Sequence, residues 1–177
     1  MNQITANYAQ AGATFVPADF EVPQVLQSER FRLRMLTVND LQKDFDAVTS
    51  SVRHLQTIWR TDWPLDLTLE QNLIDLGWHQ KEFQRRRSFT YTVLSPDESL
   101  VLGCVYIYPA SKTGFDAEVY FWSRRHDHGN AEESRLEIEF ENRLGAGVKS
   151  WLESKWPFRN VAFPGRVIAW ADWDAMI

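Results

Sequence analysis

A single cysteine, Cys104, in a chain of 177 residues rules out an intrachain disulfide and points to a reducing compartment, the cytoplasm. It lies inside the apolar run VLGCVYIY, where a buried, inert thiol is the expected state rather than a nucleophile. No apolar run approaches the roughly twenty residues that a membrane-spanning helix needs. The N-terminal MNQITANYAQAGATF has neither the basic start nor the apolar stretch of a secretory signal. Basic residues are the minority: Lys and Arg number 19 against 24 Asp and Glu, a formal charge of −5. Phosphate-backbone binding needs clustered cations, so nucleic acid is not the expected partner. The one basic cluster, Arg85-Arg86-Arg87, follows a helical pattern and suits a helix C-terminus. There is no G-x-S-x-G elbow for a serine nucleophile. His126 and His128 flank Asp127, but no third His or Cys lies near them, so no metal site is expected. Repeats and low-complexity tracts are absent as well.

Aromatic residues are plentiful, at 14% with eight tryptophans. They suit a ligand-lining cleft, or an aromatic core or subunit interface. Residues 1–28 read as an N-terminal arm interrupted by Pro17 and Pro23. Its Phe15, Val16, Phe20 and Val22 are spaced to lie in extended form on this subunit or on a neighbour. Phe31–Leu36 alternates as a half-buried strand. Thr37 or Asn39 then caps a helix carrying Leu41, Phe45 and Val48. Residues 51–66 form a loop or short helix holding Trp59, Asp62 and Trp63. Thr68 and Gln71 form a capping box for a helix that runs to Arg87, with an apolar stripe of Leu69, Leu73, Leu76 and Phe83. Three strands follow, 89–94, 100–108 and 117–122, as an antiparallel meander. A long helix runs from Glu133 to Trp156 with Leu136, Phe140, Leu144, Val148, Trp151 and Leu152 at helical spacing. Pro157 stops it, and residues 160–163 form a final strand.

The richest stretch runs from Asp116 to Ser134: a strand, a polar turn with one glycine, and the start of the long helix. A helix N-terminus offers free N–H groups and the positive end of a dipole, which suits an anionic ligand. Gly129 lets the chain turn and lets a ligand approach the backbone, although a plain polar connection has the same composition. Glu132 and Glu133 in the first helical turn oppose an anion. On the strand, alternation puts Glu118, Tyr120 and Trp122 on one face and Val119 and Phe121 on the other. A carboxylate beside aromatics is partly desolvated, which raises its pKa toward that of a general base. The competing reading is a solvent-facing Glu118 paired with Arg124 or Lys112.

Four segments together carry a resemblance: the order strand, helices, three antiparallel strands, glycine turn, long helix, strand; His126-Asp127-His128-Gly129-Asn130-Ala131 at the turn; Gly103-Cys104-Val105-Tyr106-Ile107-Tyr108-Pro109; and Ala117-Glu118-Val119. Over about residues 30–165 the chain resembles the GNAT N-acetyltransferase family. The tail, Trp156-Pro157-Phe158 through Phe163-Pro164-Gly165-Arg166, is similar to that of a bacterial GNAT-like subgroup. The resemblance implies an α/β (α+β) fold with a mixed, mainly antiparallel sheet flanked by helices, formed by residues 29–177 as one acyl-CoA N-acyltransferase domain. It implies acetyl-CoA as co-substrate, lying in the splay between strand 117–122 and strand 160–163. Phe121, Trp122 and Ser123 would meet its pantetheine, and His126, His128, Gly129, Asn130 and Ala131 its pyrophosphate. Glu118 would take a proton from the amine of a small molecule or peptide. The family signature has Gln or Arg where His126 stands. It also has a further helix and two strands where only twelve residues follow Gly165, and a thiolate-protonating tyrosine where none occurs after Tyr120. Water or another residue then serves as acid, or the chain is a non-catalytic CoA-binding or oligomeric interaction module. The arm, or a second copy in a homodimer, is expected to cover the sheet edge.

Overall fold

The computed structural model describes residues 15–126 and 130–177. The elements run in the order β1 (Val25–Gln27), β2 (Arg32–Met35), α1 (Leu41–Thr49), α2 (Val52–Trp59), α3 (Leu69–Gln84), β3 (Phe89–Leu94), β4 (Val101–Pro109), β5 (Ala117–Ser123), α4 (Ala131–Lys155), β6 (Val161–Ala162) and α5 (Trp170–Ala175). One six-stranded sheet takes them in sequence order, β1 to β6. The first four pairings are antiparallel, and β5 with β6 is parallel. This is the mixed, mainly antiparallel sheet that the family resemblance implies.

All residues of β3 and β5 are buried because both faces of the sheet are covered. One face carries Leu33, Tyr91, Val105, Val119 and Phe121 against Leu144, Val148 and Trp151 of α4. The other carries Cys104, Tyr106, Tyr120 and Trp122 against Val48 of α1, Leu55 and Trp59 of α2, and Leu76 of α3. The alternation read along β5 therefore divides two cores. Each fully buried Leu or Val contributes about 1.5–3 kcal/mol by leaving water.

Local signals set the helix ends. Thr68 accepts from the Gln71 amide while Gln71 bonds back to Thr68 N–H, so the capping box forms. A 3-10 turn, Val38–Asp40, precedes α1, and Thr37 rather than Asn39 stands at its start. Of the loop or short helix read at residues 51–66, the structure has the short helix, α2. The α3 stripe differs from expectation: Leu69 and Leu73 are exposed, and Asn72, Leu76, His79 and Phe83 face inward. Two polar residues at stripe positions shifted the apparent face.

The described part of the arm, from Phe15 onward, packs on its own sheet. Val16 is buried, Phe15 stacks on Phe158, and Tyr91 donates to the Pro23 carbonyl. Arg86 adopts a left-handed conformation and donates to the carbonyls of Pro17 and Phe20, so this part of the arginine cluster tethers the arm. Within the region read as arm, Val25–Gln27 forms a sheet strand.

Candidate functional site

β5 pairs with β4 along its whole length, from Ala117 to Ser123. Its other edge pairs with β6 only at Ala117 and Glu118. Beyond Glu118 the two strands diverge, because β6 is two residues long and the chain turns away at Pro164-Gly165. Gly165 has φ +72°, and a Cβ there would collide with the Trp170 indole. The divergence leaves a cavity of about 300 Å³ walled by Phe121, Phe163 and Val167 and, on α4, by Gly145, Ala146 and Lys149. Small residues on α4 are required at this point, since a Cβ on Gly145 would come within 2.7 Å of the Phe121 ring.

Glu118 stands at the fork. It is 1% exposed, which excludes the solvent-facing reading. Its Oε2 accepts from Ser111 N–H at 2.8 Å and from the Ser111 hydroxyl at 2.6 Å. Its Oε1 accepts from the Tyr120 hydroxyl at 3.1 Å. Burial pushes its pKa up, against these hydrogen bonds, which favour the charged form. Burial, and then the Glu118 charge, push the Tyr120 phenol up as well.

Other sequence-flagged residues separate into two groups. Phe121 and Ser123 reach the open edge: the Phe121 carbonyl accepts from Arg166 at 3.1 Å, and Ser123 N–H donates to Glu141 at 3.2 Å. Main-chain groups alternate between the two edges of an antiparallel strand, so Trp122, between them, turns its own toward β4. Its side chain is buried on the far face, where its Nε1 donates to the Tyr106 hydroxyl. At the turn, His126 Nδ1 lies 2.9 Å from Glu137. Asn130 caps α4 by accepting from Glu132 N–H and Glu133 N–H, and the Glu133 carboxylate accepts from Asn130 N–H. Ala131 is the first residue of α4. The chain's own groups thus hold the Asn130, Glu132 and Glu133 amides at this helix start. His128 and Gly129 lie outside the described residues. Trp59 and Trp63 pack edge to face, and Trp59 lies on Tyr106 and Tyr120; they form a packed cluster.

Glu141 is a centre that the sequence reading missed. It is 2% exposed. Its Oε1 accepts from Arg166 at 2.7 Å and Arg125 at 3.1 Å; its Oε2 accepts from the Ser123 hydroxyl and lies 2.8 Å from His54 Nε2. Burial opposes ionisation here, but the His54 hydrogen bond and the Arg166 charge outweigh it and hold the carboxyl well below the usual range. A signal was present: Glu141 is an acid in line with Leu144, Val148 and Trp151 on the inward face of α4.

No protein-family model matches the sequence, and no curated protein matches it. Solved structures do match. The ribosomal-protein-S5-alanine acetyltransferase from Vibrio fischeri is similar over 75% of this chain and 67% of its own, at 15% identity and a TM-score of 0.53. RimL, a ribosomal L7/L12 alpha-N-protein acetyltransferase solved in complex with coenzyme A, is similar over 78% of this chain and 73% of its own, at 15% identity and a TM-score of 0.55. The chain has the GNAT fold. The fork between β5 and β6 falls between the segments 117–122 and 160–163, where the sequence resemblance leads one to expect a strand splay. Among the described residues, no cluster of three or more His, Cys, Asp or Glu is arranged for a metal, and no helix is long and apolar enough to cross a membrane.

Proposed function

We propose that this protein is an acetyl-CoA-dependent N-acetyltransferase acting on an amine, with Glu118 as general base. The observation that carries the reading is a buried carboxylate of raised pKa at the point where β5 loses its neighbour. The residues around the fork fit the amide-bearing arm of the co-substrate. Phe121 offers a carbonyl and Ser123 an N–H on one edge, and Gly145 and Ala146 leave room opposite. The described part of the α4 start fits a pyrophosphate less well, since Asn130 takes the Glu132 and Glu133 amides.

When bound, acetyl-CoA supplies an activated thioester. The chain's part is to hold the extended arm against β5 and to take the proton from the amine. Ser111 fixes one Glu118 oxygen with two donors, so the carboxylate keeps one orientation. Tyr120 donates to the other oxygen. Desolvation moves the base closer to neutral pH, where proton transfer is most effective.

A second reading, a CoA-binding module without turnover, draws on the capped state of the open edge, where Arg166 and Glu141 already occupy both main-chain groups. Thiol release from acetyl-CoA over a panel of small and peptide amines separates the two. The catalytic reading expects turnover that falls about 100-fold or more in Glu118→Gln. The Gln carbonyl can still accept from Ser111 and its amide can donate to Tyr120, so the variant should fold. Turnover unaffected by the substitution removes Glu118 from the mechanism.

A further inference from the structure

The open edge of β5 is closed by the chain itself. Where a neighbouring strand would place a donor against the Phe121 carbonyl and an acceptor against Ser123 N–H, the structure places Arg166 Nη2 at 3.1 Å and Glu141 Oε2 at 3.2 Å. The two side chains are joined by their own ion pair at 2.7 Å, and the guanidinium lies 4.6 Å from the Phe121 ring centroid. Together they satisfy backbone groups that would otherwise be left unpaired at a sheet edge.

This pair also divides the cleft. On the α4 side lies the cavity of about 300 Å³ already described. On the α2 side lies another of about 290 Å³, bordered by His54, Ile58, Arg125 and Trp170. Glu141 and Arg166 line both cavities. The Arg166 side chain therefore stands between the two cavities at the open β5 edge. The two partners differ in how firmly they are held. Glu141 keeps His54, Arg125 and both Ser123 donors when Arg166 leaves. The Arg166 side chain is 29% exposed against 3% for Glu141, and a long flexible stem can swing without backbone movement.

We propose that Arg166 is a gate in the co-substrate cleft: it must release the Phe121 carbonyl and Glu141 before an extended amide chain can pair with that carbonyl. The inference rests on the acetyl-CoA reading and adds a self-occluding contact to it. Against the opposing effect of burial, the His54 hydrogen bond and the Arg166 charge hold the Glu141 carboxyl below the usual carboxylate range.

The test is titration of coenzyme A into the wild-type chain, Arg166→Ala and Arg166→Gln, by calorimetry, with association rates by stopped flow. Both substitutions remove the ion pair and leave Glu141 its other partners; thermal melting confirms folding, and either variant alone suffices for the comparison. The gate predicts about tenfold tighter binding and faster association, the gain expected when a ligand no longer has to displace a charged hydrogen bond. Binding only in the variants supports it most strongly. Wild-type binding with equal or weaker affinity in the variants overturns the gate and leaves the acetyl-CoA reading standing. No binding by any of the three at millimolar coenzyme A overturns both.

Discussion

At the scale of single residues, the chain uses burial to tune carboxylates in opposite directions. Glu118 and Asp44 are pushed up by desolvation, whereas Glu141 is held down by His54 and Arg166. For Glu118 the proposed consequence is kinetic. A base must be ionised, so kcat/KM should rise with pH through its raised pKa. Tyr120→Phe removes a donor that favours the charged form, so the acid limb of that profile should move to higher pH; an unmoved limb would show that Tyr120 does not set the base. For Asp44 the consequence is stability. It is buried against Asn72 and Cys104, and burial lifts its pKa to about 6. The folded state therefore holds this proton where the unfolded state has lost it, and stability falls as pH rises from about 4 to about 6. The loss is of order 3 kcal/mol, at ~1.4 kcal/mol per pKa unit. Asp44→Asn should flatten that fall in urea-unfolding curves, and an unchanged slope would contradict the assignment. Glu118 was legible in the sequence because it interrupts an apolar strand. Asp44 and Glu141 were not singled out: Asp44 sits in a charged helix where an acid looks solvated, and Glu141, although in line with Leu144, Val148 and Trp151, is one acid among several on α4.

At the scale of elements, strong local signals read correctly and weak ones did not. The Thr68 capping box, the three-strand meander and the long helix ended by Pro157 were all visible, because each is fixed by neighbours in sequence. The helix at 170–175 was not anticipated. It is one short turn region without a side-chain cap, held instead by contacts far away in sequence: Trp173 on Phe115, and Trp170 on Tyr120 and beneath Arg60. Likewise β1 is three residues long and exists because β2 pairs with it. The start of α4 shows how an element trades roles. Asn130 stabilises the helix by taking amides that a bound anion would otherwise use. Asn130→Ala should cost about 1 kcal/mol in thermal or urea melting; no loss would mean the cap is not formed in solution.

At the scale of the whole molecule, helices cover both faces of the sheet, the described part of the arm is tied to it by Arg86, and β5 and β6 part at a fork after Glu118. The GNAT fold followed from the order of elements, which survives where sequence identity to solved acetyltransferases is only 15%. The state of the fork could not be read that way, since Arg166 and Glu141 meet 25 residues apart through the turn at Gly165. The account stands or falls on whether this fork takes coenzyme A. Thermal melting with and without the ligand tests it most directly. At a hundredfold excess over Kd, binding to the folded state adds about 2.7 kcal/mol, which for a chain of this size raises Tm by roughly 5–10 °C. A saturable rise of that order is the predicted result; no shift at millimolar coenzyme A would contradict it.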